Sequence, residues 1–187
     1  MLTNETPFTD PSDNSTGCCP RFSPDGWHGQ TLHFQSKPFV RAVTHSENYV
    51  PLDMGPIFAA TFDAIEAARA ADPTHALVLS RELSPSETEH LFAVTRDVPG
   101  ADMVRLSGDF RTRVFEGSYA DTPLWERAMT TGLADDGLMP DPLWFFFTTC
   151  PRCAEAYGKN YVVGVAQLRR RSPAAGSRDF ARAMTDE

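Results

Sequence analysis

Only two stretches of this chain repeat their apolar residues at helical spacing over enough length to make a long helix. In GPIFAATFDAIEAARAA, Ile57, Phe58, Thr61, Phe62, Ile65 and Ala68 fall on one stripe, and Pro56 suits a first helical turn. Asp72-Pro73 ends that stretch. Thr122 as N-cap and Pro123 as first helical residue open the second, whose stripe is Leu124, Trp125, Ala128, Met129 and Leu133, with Gly137 as the stop. The remaining apolar runs between Thr31 and Leu168 are short and read as strands.

Those runs are TLHFQ (Thr31 to Gln35), FVRAVTH (Phe39 to His45), HALVLS (His75 to Ser80), HLFAVTR (His90 to Arg96), MVRLSGDFRTRVFEG, LWFFFTT (Leu143 to Thr149) and YVVGVAQL (Tyr161 to Leu168). RELSPSETE reads as a polar loop. Gly108 is the expected bend of the longest run, with Phe110, Thr112, Val114 and Glu116 on one face and Arg111, Arg113 and Phe115 on the other. After a short first strand the order is strand, helix, strand, strand, and then the same again. That predicts an α+β fold, a duplicated module with a mostly antiparallel sheet and two long helices. A groove between the helices, or along a concave sheet face, is the expected ligand pocket. Residues 1–16 are expected to be poorly ordered, 17–168 to form one domain that includes an N-terminal Cys-Cys arm, and 169–187 to be a polar tail.

A net charge of -8 argues against nucleic acid or an anionic membrane surface as partner. Arg169, Arg170 and Arg171 read as the solvated end of the last strand. The first residues have neither a basic nor an apolar signal segment, and no run approaches a membrane span, so the expectation is a cytoplasmic chain with reduced thiols.

The four cysteines are Cys18, Cys19, Cys150 and Cys153. Cys150-x-x-Cys153 has the bite of a metal knuckle, and Zn²⁺ takes four such ligands in a structural site. Cys18 and Cys19 are adjacent, so both reach one ion only through a tight turn, which Gly17 and Pro20 permit. His28 or His33 is an alternative ligand. A second reading is redox: Cys150 before a helix N-terminus, with Arg152 nearby, favours a thiolate. A third gives the four thiols no joint role.

VRLSGDFRTRVFEGSYADTPLWERAMTTGLADDGLMP resembles the second module of GyrI-like small-molecule-binding domains, with Gly117, Ser118 and Tyr119 matching their Gly-x-Tyr turn. CCPRFSPDGW, VFEGSYADTPLW and TTCPRCAEAYGKNYVV resemble a bacterial group labelled hydrolase or GyrI-like. The resemblance implies binding of a small apolar or aromatic molecule, and in some members its hydrolysis. The strand that carries a ligand-facing Glu in those domains reads WFFFTTCP here and has no carboxylate. Candidate ligand contacts are Trp27, Tyr119, Trp144, Phe146 and Tyr161. Glu116 and Tyr119 are the candidate acid/base pair, and His45 with Glu47 is an alternative. A non-enzymatic ligand-sensing module is a further reading. There is no Gly-x-Ser-x-Gly elbow and no phosphate loop.

Overall fold

In the computed structural model, which describes residues 2–47 and 50–170, the first two expected strands are one strand, β1 (Thr31–Glu47). The chain stays extended through Pro38 because a bulge precedes it. Ser36 has a φ of 49° and the register shifts between Phe34 and Lys37. Then come β2 (Val50–Pro51), α1 (Met54–Ala67), β3 (Val78–Ser84), β4 (Glu87–Ala93), β5 (Asp102–Glu116), a 3-10 turn (Tyr119–Asp121), α2 (Thr122–Asp135), β6 (Leu138–Phe147), α3 (Pro151–Tyr157) and β7 (Tyr161–Arg170). Gly108, φ 124°, pairs with Phe34 at the bulge, so the bend of β5 lies where the glycine permits it.

Every strand pairing is antiparallel. The order β1-β4-β3-β6-β7-β5 closes on itself because β5 also pairs β1, while the two-residue β2 sits at the end of β1. This corrects the expected open groove along a concave sheet face. Closure turns one face of all six long strands inward, and the interior is filled by side chains. Leu32, Phe34, Phe39, Leu79, Leu91, Phe110, Trp144, Phe146, Val163 and Val165 form that core. The alternation expected for β5 and β6 is seen: Phe110 and Thr112 point in, as do Trp144 and Phe146, while Phe115, Phe145 and Phe147 point out.

The two long helices cover the outer face. α1 packs Ile65 and Phe58 on Val40 and Phe92. α2 packs Trp125, Met129 and Leu133 on Phe145, Val162 and Ala166, with Phe115 stacked on Trp125 at 5.5 Å. RELSPSETE is a tight hairpin rather than a loop. Its polar residues belong to strands because Glu89 accepts from Arg41 at 2.8 Å and from Arg81 at 2.9 Å at one end of the closed sheet. No helix among the described residues is long and apolar enough to cross a membrane.

The segment before β1 packs from outside the strands. Trp27 and Phe22 enter the core, with Trp27 5.6 Å from Phe146 between ring centres. The Thr112 hydroxyl donates to the Trp27 carbonyl. Further back, Asn4, a turn residue with φ 67°, docks beside β1: its backbone N–H donates to His33 O (2.9 Å), and its side chain bonds both backbone groups of Gln35 (2.8 and 2.9 Å). Arg169 makes a solvated ion pair with Asp141 at 3.5 Å. Arg171 and the rest of the polar tail lie outside the described residues.

Beneath α1, His90 is buried with Nε2 2.9 Å from Thr44 Oγ1 and Nδ1 2.8 Å from Ser80 Oγ, and Phe58 packs edge-on at 4.8 Å. A neutral ring donates to one hydroxyl and accepts from the other, so both nitrogens are satisfied. Burial pushes the imidazole pKa down to about 4. The unfolded chain therefore binds this proton more tightly. The His90 contribution is complete above pH ~6.5 and is lost as pH falls towards 4, at about 1.4 kcal/mol per pH unit. Denaturant melts of wild type and His90→Gln between pH 7 and 4 should converge by a few kcal/mol on acidification. A gap that stays constant with pH would mean that His90 titrates normally.

Candidate metal centre

Four sulfurs from opposite ends of the chain meet at the start of α3. Cys150 is the N-cap of α3 and Cys153 lies in its first turn, so both side chains stand on one side of the helix end. Pro151 opens the helix at a position that needs no N–H donor. Cys18 and Cys19 arrive from the arm. Gly17, φ 66°, turns the chain there, its N–H donates to Asn14 O (3.1 Å), and Arg21 N donates to Asp13 O (2.7 Å). This is the tight turn that two adjacent cysteines require.

The ligand atoms of Cys18, Cys19, Cys150 and Cys153 all lie within 4.8 Å of one another. Cys18 and Cys19 Sγ are 3.7 Å apart, and all four cysteines are free thiols. A tetrahedral Zn²⁺ with Zn–S of ~2.3 Å holds its sulfurs ~3.8 Å apart, so the cluster matches such an ion after small side-chain movements. Other groups brace the sulfurs. Cys150 N–H donates to Cys19 Sγ at 3.4 Å, and Thr16 Oγ1 lies 3.2 Å from Cys153 Sγ. Tyr157 donates its hydroxyl to Cys19 O at 2.6 Å, and the Arg21 guanidinium lies 4.4 Å over the Tyr157 ring. Such contacts orient the ligands of a metal site.

The thiols differ in how readily they ionise. The Thr16 hydroxyl, together with hydrogen bonds from the other cysteines, holds the Cys153 thiol below the ordinary thiol range. Burial pushes the Cys19 thiol up. Cys18 also rises, because its hydrogen bond with Cys19 is outweighed by burial and by the neighbouring sulfurs. A divalent ion would favour the ionised form of all four.

His33 is elsewhere, 2.6 Å from Asp109 through Nδ1, and neither it nor His28 belongs to the cluster. His45 pairs with Asp53 at 2.8 Å rather than with Glu47, and hydrogen bonding to that carboxylate raises its pKa. Trp27, Trp144 and Phe146 come together, but inside the core. Tyr119 packs on Phe147 on the outer face and donates its hydroxyl to Thr149 O at 2.7 Å. Glu116 is exposed at the end of β5, 3.3 Å from Lys159. Tyr161 begins β7, 5.9 Å from Phe22 between ring centres. Thr16 and Tyr157 are site residues that spacing arguments missed. Tyr157 carried a readable signal, lying four residues after Cys153 and so on the same helix face.

A family model described as bacterial hydrolase matches residues 9–168, a span that includes all four cysteines. No curated protein matches the chain.

In metal-stripped, reduced protein, brief alkylation with iodoacetamide followed by peptide mass spectrometry should modify exposed Cys18 at least about tenfold faster than Cys153, which burial protects despite its lowered pKa. Equal rates would show that the arm does not cover α3.

Proposed function

The chain belongs to the bacterial hydrolase family, and we propose that it is a small-molecule-binding hydrolase whose N-terminal arm is fastened by a structural Zn²⁺ site. The observation that carries the metal reading is the approach of Cys18, Cys19, Cys150 and Cys153 to within 4.8 Å of one another. Four thiolates fill a tetrahedral shell and leave no position for water, so the ion would fasten the arm rather than activate a nucleophile. The order β1, α1, β3, β4 followed by β5, α2, β6, β7, with the short α3 between the last two strands, is compatible with a GyrI-like ligand-binding module.

With Trp27, Trp144 and Phe146 in the core, contact with an aromatic ligand falls to Tyr161 and its surroundings. Glu116 pairs in register with Tyr161 at that same end of β7, and in this reading it is the carboxylate that takes a proton from water. Tyr119, tied to Thr149, orders the adjoining turn.

The second reading is a thiol redox protein using Cys150 and Cys153. It is favoured by the lowered Cys153 thiol and by the helix N-terminus beneath both sulfurs.

Metal analysis of protein purified without chelator or histidine tag decides between them. The expected result is one zinc per chain, thiols that react only after denaturation, and loss of metal in both Cys19→Ser and Cys150→Ser. Glu116→Gln should keep the metal and slow turnover of an activated aryl ester by roughly a hundredfold. Metal-free protein with reversible Cys150–Cys153 oxidation would replace this reading with the redox one. Unchanged ester turnover in Glu116→Gln would remove Glu116 from the chemistry.

A further inference from the structure

Beside the thiol cluster, between the arm and the junction of β6 with α3, lies a cleft of about 290 Å³. Its walls include Phe22 from the arm, Thr149 before α3, Tyr157 at the end of α3 and Tyr161 at the start of β7, and Arg21 and Lys159 also line it. Both charged lining residues are cations, and no carboxylate lines the cleft, in a chain whose net charge is -8. The acids that meet these cations, Asp13 at 3.5 Å and Glu116 at 3.3 Å, are outside the lining, and both pairs are about half exposed. Ion pairs of that kind are weak and yield readily to a competing anion.

Thr149 adds a second, independent feature. The residue is 7% exposed, and its Oγ1 has no hydrogen-bond partner. Its carbonyl is occupied by the Tyr119 hydroxyl, and the side-chain hydroxyl, buried in the cleft wall, keeps a donor that a ligand meets once the Thr149 side chain turns outward. The aromatic walls are themselves backed by charge: Arg21 lies 4.4 Å over the Tyr157 ring and Lys159 5.6 Å over the Tyr161 ring. The volume is at the small end of ligand pockets, near 300 Å³, which suits a single ring with one substituent.

We propose that this cleft binds a small aromatic carboxylate, with the acid group drawn to Lys159, Arg21 and the Thr149 hydroxyl and the ring held against Phe22, Tyr157 and Tyr161. The proposal rests on the small-molecule reading above and replaces a purely apolar ligand with an anionic one. Phe22 is common to the cleft and the core, and the arm that carries it is the segment fastened at Cys18 and Cys19.

The test is amide-shift titration of the full ¹⁵N-labelled chain with benzoate and, separately, with the uncharged analogue benzyl alcohol. Benzoate should shift the amides of Thr148, Thr149 and Lys159 saturably and bind at least about tenfold more tightly than benzyl alcohol. Lys159→Met should weaken benzoate by about tenfold and leave benzyl alcohol unchanged, and Thr149→Val should weaken benzoate by about fivefold. Equal affinity for the two probes, or insensitivity to Lys159→Met, would overturn the carboxylate and leave the small-molecule reading standing. No shift at these amides with either probe would overturn both.

Discussion

The antiparallel pairing of β1 with β5 runs from Thr31 opposite Arg111 to Arg41 opposite Asp102, and it joins the first half of the chain to the second. Without it the six long strands would form an open sheet with two edges. With it the sheet has an inside, and that inside must be filled at crystal-like density. Phe34, Phe110 and Trp144 occupy the space an open sheet would have left for a ligand. The ligand of the proposed reading is thereby displaced to the periphery, where loops and the arm meet the strand ends. The two long helices pack Phe58, Ile65, Trp125, Met129 and Leu133 on the outer face, while Phe62 and Leu124 of the expected stripes stay more than half exposed.

An arm added from outside has little apolar surface with which to hold itself. Phe22 and Trp27 are its two anchors in the core, and the segment before them is mostly polar. Hydrogen bonds between Asn4 and β1 add to that hold, and in the proposed reading the thiol cluster completes it. A metal–thiolate bond set is suited to this place because its strength does not depend on buried area, and a short polar segment has little area to bury. Thr16, the Cys150 amide and Tyr157 then set the positions of the sulfurs.

Much of the strand and helix pattern was legible in the sequence because it depends on local periodicity. The alternation of Trp144 and Phe146 against Phe145 and Phe147, and the stripe Trp125, Met129, Leu133, follow from side-chain geometry alone. The hairpin within RELSPSETE did not show, because its polar residues are held by Arg41, Arg81 and Glu89 across strands rather than by hydrophobic alternation. Closure of the sheet was equally hidden, since pairing of β1 with β5 is a long-range choice that no window reveals. At the candidate site, the Cys-x-x-Cys spacing was readable, and so was the need for a tight turn at Cys18 and Cys19, which the chain makes with a φ of 66° at Gly17. The cleft was not readable at all, being assembled from the arm, the β6–α3 junction and β7.

The thiol cluster joins residues at nearly the maximum sequence separation this fold allows: Cys150 N to Cys19 Sγ spans 131 positions, and Tyr157 Oη to Cys19 O spans 138. The arm is made well before its partners on α3, with the strands of the sheet between them. Cys18 and Cys19 thus wait for Cys150 and Cys153 while the intervening strands are made, and loop-closure entropy places their meeting after the strands have paired. The order reverses on opening, because the contacts completed last, at the margin of the core, are the first a local fluctuation can release.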